Sequence, residues 1–328
     1  MARSRRNKGR PINGWLCLDK PEGMTSTAAV ALVKRATKAA KVGHGGTLDP
    51  LATGVLPIAM GEATKTVAFV MDGEKQYRFT MKLGAATNTD DSEGEIIETS
   101  DVRPRTAEIE AALGDFVGEI EQVPPCFAAV KVAGERAYDI ARRGETVELE
   151  ARTVEVKDLT IVERPDDDHI VFDLTCGKGT YVRAIARDLG RQLGCFGHVS
   201  ALRRMKVGAF EAEQAVSPET LERLIEDDAF PQVLRPLNDA LAALPSLALT
   251  EPQAERLRAG QTIRVAPHMV KGPGVQGDGP GGSEDEDTTI RAMASGDVVA
   301  LARLTGAELS PVRVFNLRVH PTSFRAIS

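Results

Sequence analysis

Residues 43–58, GHGGTLDPLATGVLPI, place four glycines, at 43, 45, 46 and 54, around a single carboxylate, Asp49, which Pro50 follows directly. Glycine reaches backbone conformations closed to other residues, and proline fixes the turn just after the acid. Such a loop permits the close approach of another surface. The plainer reading is a tight connection carrying a solvated Asp.

Around this loop the chain alternates between strand and helix patterns. Trp15 to Leu18 form a short apolar strand that ends in Asp19-Lys20-Pro21, which puts Lys20 at a strand end. Thr25 or Ser26 can cap a helix that turns Val30 and Val33 inward and Lys34, Lys38 and Lys41 outward, toward solvent or phosphate. Residues 75–83, KQYRFTMKL, alternate with period two, so Tyr77, Phe79, Met81 and Leu83 share one face of a half-buried strand. A helix is predicted from Thr106 to Phe116, a strand near Phe127–Val132, a helix near Ala137–Arg143, and strands at Thr153–Val162 and His169–Thr175. Without a regular βα repeat, this order predicts a mixed α+β fold.

The segment 177–194, GKGTYVRAIARDLGRQLG, reads as a strand end, a turn and a helix. Val182, Ile185, Ala186, Leu189 and Leu193 form its apolar face, while Arg183, Arg187 and Arg191 recur every fourth residue as a cationic stripe. Taken alone, that stripe fits a solvated surface. The acidic turn TNTDDSEG, residues 87–94, has its glycine one position late for a calcium loop and no Glu at the twelfth position, and is predicted to be a solvated turn between strands.

Charge is unevenly distributed. The net charge is −6, yet residues 1–60 carry ten Lys/Arg against three Asp/Glu, and residues 177–206 carry seven against Asp188 alone. Two basic regions on an acidic chain point to a local polyanion site. Residues 1–13 read as a basic disordered arm without the apolar core of a signal peptide, and no run of apolar residues is long enough to span a membrane. Cys17, Cys126, Cys176 and Cys195 lack metal-ligand spacing and are expected to be buried small hydrophobes in a reducing compartment. These features predict a soluble, cytoplasmic protein with no structural metal.

Residues 43–58 closely resemble the catalytic motif of the bacterial tRNA pseudouridine-55 synthases, the TruB family, with Gly45 where that family commonly has Thr. KQYRF with the following LG resembles the family's second motif, KGTYVR…DLG the next, and GHVSALRRMKVGAF at 197–210 the last, all in family order. The resemblance implies a pseudouridine synthase fold over residues 14–245 and a small C-terminal β-rich, PUA-like domain over 246–328. That second domain would carry a flexible Gly/Pro-rich acidic loop at about 271–288 and would act as a tRNA-binding module or a structural cap.

The resemblance also implies site roles. Asp49 would be the catalytic carboxylate, paired with Arg183, with Tyr77 against the target base. Lys20, His44, Tyr181, Leu202 and Arg203 would form the substrate-binding set: His44 replacing displaced stacking, Tyr181 stacking near the base, Leu202 packing beneath it, and Arg203 with Arg204 supporting the site or touching phosphate. A guanidinium beside Asp49 is expected to favour its ionised form. The implied activity isomerises uridine 55 in the T-loop of tRNA with no cofactor, metal or guide RNA; a monomer is expected. The alternatives are an RNA-binding tRNA folding factor and a guide-RNA-dependent pseudouridine synthase.

Overall fold

The computed structural model describes residues 9–317, apart from 129–130, 133–134, 137–139, 141–142, 144–148, 274, 277–278 and 281–286. The helix expected near Ala137–Arg143, most of the arm and half of the acidic loop therefore lie outside the described residues. The chain is already packed ahead of residue 14: Arg10 donates its N–H to the carbonyl of Lys38 at 2.7 Å, and Ile12 is buried.

A nine-stranded mixed sheet forms the scaffold. Its main strands are β1 (Gly14–Lys20), β3 (Thr53–Met60), β4 (Lys75–Leu83), β5 (Gly118–Gln122), β6 (Arg152–Glu163), β7 (His169–Cys176) and β8 (Gly197–Val207), in the order β1-β3-β8-β4-β7-β6-β5, with the short β2 (Val42–His44) paired to β3. Only the β3–β8 pairing is parallel; the other pairs are antiparallel. The segment Asp49–Ala52 thus leads directly into a strand of this sheet, which anchors the catalytic candidate at one end.

Period-two alternation explains the two faces. Phe79, Met81, Leu16 and Leu18 point into the main core with Val33 of helix α1 (Ser26–Thr37), Ile109 of α2 (Thr106–Leu113), and Ile185 and Leu189 of α3 (Val182–Gln192). On the other side, Trp15, Cys17, Val55, Val207 and Phe210 form a second cluster with Leu237 and Leu241. β1 is buried on both faces, which is why it reads as a continuous apolar run. Thr25 caps α1 by accepting the Ala28 N–H at 3.1 Å. That helix stops at Lys38, in the left-handed region at φ 56°, so Lys38 and Lys41 do not extend the Lys34 face. Gly190 allows α3 to lie against the start of β8, since a Cβ there would fall 2.5 Å from the Gly197 nitrogen.

From Ser246 onward a five-stranded sheet forms a β-rich C-terminal domain from β9 (Ser246–Ala248), β10 (Ile263–Arg264), β11 (Thr288–Ala294), β12 (Asp297–Thr305) and β13 (Glu308–Val314). The last strand ends at Val314, its register set by pairing with β12. Val298, Leu301 and Phe315 enter the cluster of Trp15 and Phe210, so the two sheets share apolar packing. Three of the four cysteines are buried as expected; Cys126 is exposed.

Candidate active site

Asp49 projects from the stretch between β2 and β3 into a cavity of about 260 Å³, whose lining includes Tyr77 of β4, Tyr181 at the start of α3, Arg183, and Leu202 and Arg204 of β8. Its carboxylate lies 3.0 Å from a terminal nitrogen of Arg183, and its side chain keeps 38% exposure toward the cavity. Five of the residues predicted from sequence, Asp49, Tyr77, Tyr181, Arg183 and Leu202, therefore meet in one place.

Arg183 is held from several sides. It donates to the carbonyl oxygens of Thr89 and Phe127, each at 2.9 Å, and lies 3.4 Å from the carboxylate of Asp91. Asp91 in turn accepts from the Thr89 hydroxyl at 2.5 Å and from the Glu93 N–H at 3.1 Å. One turn along α3, Arg187 pairs with Asp90 at 3.1 Å and with Asp188 at 2.8 Å. The acidic turn is thus only partly solvated, with Asn88, Ser92 and Glu93 exposed but Asp91 buried, and Arg183 and Arg187, both buried, do not form a surface stripe. Burying a guanidinium requires a matched anion, and the 87–94 turn supplies two.

The electrostatic balance at Asp49 differs from the sequence expectation. Burial pushes its carboxyl above the usual carboxylate range; the Arg183 guanidinium opposes this, and the neighbouring Asp91 charge adds to it. Arg183 therefore limits the shift without reversing it, because its charge is shared with a second carboxylate. Burial raises the phenols of Tyr77 and Tyr181 as well, so both are neutral donors near pH 7.

The remaining candidates stand outside the cavity lining. Lys20 is fully buried, and its ammonium donates to the carbonyls of Pro21, Met24 and Pro50 at 2.9, 2.7 and 3.2 Å. It holds the backbone just after Asp49. Burial pushes its pKa down to about 8, with the Asp49 charge opposing. His44 lies on β2, its Nδ1 buried without a hydrogen-bond partner among the described residues, and burial holds it below the ordinary histidine value. Arg203 points to the opposite face of β8 from Leu202 and forms a two-pronged pair with Asp19 at 3.0 Å. Its neighbour Arg204 reaches the cavity in its place.

Sequence reasoning also passed over Gln122, which locks the start of α3 by accepting the Tyr181 N–H at 2.8 Å and donating back to its carbonyl at 3.2 Å. Lys75 had been placed on its strand but not in the site; it is buried, lines the cavity and donates to the carbonyl of Met71. Clean alternation in 75–83 had offered a signal for Lys75, which shares the Tyr77 face.

The arrangement, one carboxylate clamped by a buried arginine in a cavity shared with two tyrosines and a leucine, sits on a fold of the Cbf5 type. The crystal structure of a Cbf5-Nop10-Gar1 complex superposes with a TM-score of 0.70 at 24% identity, covering 98% of this chain and 90% of that one. The archaeal box H/ACA sRNP Nop10-Cbf5 complex gives 0.69 at 24%, covering 93% and 86%. Residues 34–182 match the model described as TruB family pseudouridylate synthase (N terminal domain), and residues 183–242 match the tRNA pseudouridylate synthase B C-terminal domain. The chain belongs to the TruB family of pseudouridylate synthases. It is 51% identical over 314 residues to the tRNA pseudouridine synthase B of Caulobacter vibrioides (strain ATCC 19089 / CIP 103742 / CB 15), covering 96% of this chain and 99% of that protein. The like-named protein of Ruegeria sp. (strain TM1040) is 52% identical over 312 residues, covering 95% and 99%.

Proposed function

We propose that this protein isomerises uridine to pseudouridine in tRNA, at position 55 of the T-loop, with Asp49 as the catalytic residue. The observation that carries this is the ionisable Asp49, clamped by Arg183 in a cavity lined by Tyr77, Tyr181 and Leu202. In the reaction the C1′–N1 bond breaks, the uracil turns, and a C1′–C5 bond forms; N1 gains a proton and the C5 hydrogen leaves as one. Asp49 acts either as nucleophile toward the sugar or base, or as the base that removes a sugar proton. Either role needs the ionised form, which Arg183 supports against burial.

A uracil stacked in a folded T-loop cannot reach Asp49, so the base is flipped out, at a cost of a few kcal/mol, roughly, in lost stacking. Tyr181 and Leu202 offer the aromatic and apolar surfaces that offset this, and His44 takes the vacated place in the loop. Lys20 and Arg203 serve by holding the backbone after Asp49 and the strand end, respectively. We assign residues 14–245 to catalysis and the β-rich domain from 246 to tRNA binding, in a cytoplasmic monomer that uses neither guide RNA nor cofactor. Among the described residues no helix is long and apolar enough to cross a membrane.

The test is carbodiimide mapping of unmodified tRNA transcripts after incubation with the purified protein. A single new stop at position 55 is expected. Stops elsewhere, or none, would contradict the assignment.

A further inference from the structure

Arg204 is only 2% exposed, and no ion pair among the described residues involves it. A buried guanidinium keeps its charge and must place its donors well. Its Nε–H donates to the Val55 carbonyl at 2.8 Å, and its terminal nitrogens donate to Thr47 at 3.4 Å and Gly46 at 3.1 Å. Gly46 and Thr47 belong to the stretch that presents Asp49. On the adjacent strand Tyr77 is its direct cross-strand partner, and both side chains line the cavity. The approach on the other side is equally close. Gly54 of β3, the parallel partner of Arg204, sits at φ +94°, and a Cβ there would meet the Arg204 carbonyl oxygen at 2.3 Å.

A guanidinium can only donate hydrogen bonds. A phenol paired across the strands with such a donor is oriented by it: an oxygen turned toward Arg204 leaves the Tyr77 hydrogen for the cavity. We propose that Arg204 is a positioning residue of the isomerisation: one buried guanidinium sets the Gly46–Thr47 backbone that carries Asp49 and orients the Tyr77 O–H into the cavity as a donor to the bound uracil. The inference rests on reading this site as a pseudouridine synthase. It makes Tyr77 a hydrogen-bond donor to a uracil carbonyl. It also accounts for a buried cation that has no ion-pair partner among the described residues.

The test uses the full chain and an unmodified tRNA transcript tritiated at uracil C5, with single-turnover release and tRNA affinity measured for wild type, Arg204→Lys, Arg204→Gln, Tyr77→Phe and the doubles. Each Arg204 variant is expected to slow release at least about tenfold while tRNA affinity moves less than about threefold, the signature of lost positioning. Adding Arg204→Gln to Tyr77→Phe should slow release by much less than it slows wild type. Unchanged rates in both Arg204 variants, or full additivity in the doubles, would overturn the proposal. Should the Arg204 variants not fold, Tyr77→Phe still reports, because it strands a buried guanidinium donor and is expected to melt several degrees lower; an unchanged melting temperature would overturn the proposal. Absence of release from wild type contradicts the synthase reading itself, a result distinct from normal release in the Arg204 variants.

Discussion

Arg183 lies 3.0 Å from Asp49 and yet is positioned independently of it, by two backbone carbonyls and by Asp91 at 3.4 Å. The guanidinium is therefore in place before substrate arrives, and Asp49 is oriented by a group that cannot follow it if it moves. Preorganisation of this kind is what lets a charged group act without rearranging during the reaction.

Asp91 is thus predicted to matter for turnover without touching RNA. Asp91→Asn weakens the hold on Arg183, and the loss of this charge contact, about 1.5–3 kcal/mol, corresponds to a rate about 10–100 times slower. Single-turnover rates and tRNA affinity measured together check this, with affinity expected to stay level. A normal rate would make Asp91 an anchor of the turn only.

The raised Asp49 carboxyl makes two predictions about pH. Activity should fall on the acid side at a higher pH than an ordinary carboxylate would give, and Asp91→Asn should move that limb to lower pH by removing a charge that raises Asp49. For stability the sign is opposite to that of a salt-bridged acid. A folded-state value above the unfolded one stabilises the fold at low pH, and this is lost as pH rises through the folded value. Asp49→Asn is therefore expected to melt above wild type at pH 7, and a lower melting temperature would contradict the direction of the shift.

Lys20 separates a tRNA contact from a backbone clamp. Its ammonium is spent on Pro21, Met24 and Pro50. Lys20→Met should slow the reaction by releasing the chain after Asp49 while leaving unchanged the slope of log affinity against log salt, which counts phosphate contacts. A slope reduced by about one would place Lys20 on the RNA instead.

Gly45 has a structural explanation. A Cβ there would come within 2.9 Å of a Val70 methyl and 3.3 Å of the Trp15 ring, so the space a threonine needs is already filled by the second apolar cluster. Gly45→Thr is expected to cost about 1–3 kcal/mol by overpacking, with part restored by Val70→Ala. Urea denaturation of the two variants decides it.

The shared cluster of Val298, Leu301 and Phe315 with Trp15 and Phe210 bears on truncation. Cutting the chain at 245 uncovers that cluster, so loss of catalytic-domain stability is expected alongside any loss of tRNA affinity. Leu301→Ala in the full chain, expected to cost about 2–5 kcal/mol, reports the same contact without the truncation. A truncated protein melting at the wild-type temperature would show the two parts to be independent.

Local features were legible in the sequence. The Asp49 loop, the alternation of 75–83 and the Thr25 cap each depend on neighbours a few residues away, and the Arg183 pairing came through family resemblance. What escaped depended on distant contacts. The 87–94 turn reads as solvated because nothing local reveals that Arg183 and Arg187 will be folded onto it. Arg203 and Arg204 point to opposite faces of one strand, and which enters the cavity depends on a register that shifts at Val199/Ala201 and again at Arg204/Lys206. Lys20 at a strand end suggests exposure; the turn closes over it.

The most direct test of the central claim is release of tritium to water from an unmodified tRNA transcript labelled at uracil C5, with wild type and Asp49→Asn compared in the absence of any added cofactor. The account predicts release by wild type that maps to the T-loop, and none by Asp49→Asn although it binds the same tRNA. Equal release by both proteins, or none by wild type on well-bound tRNA, would contradict it.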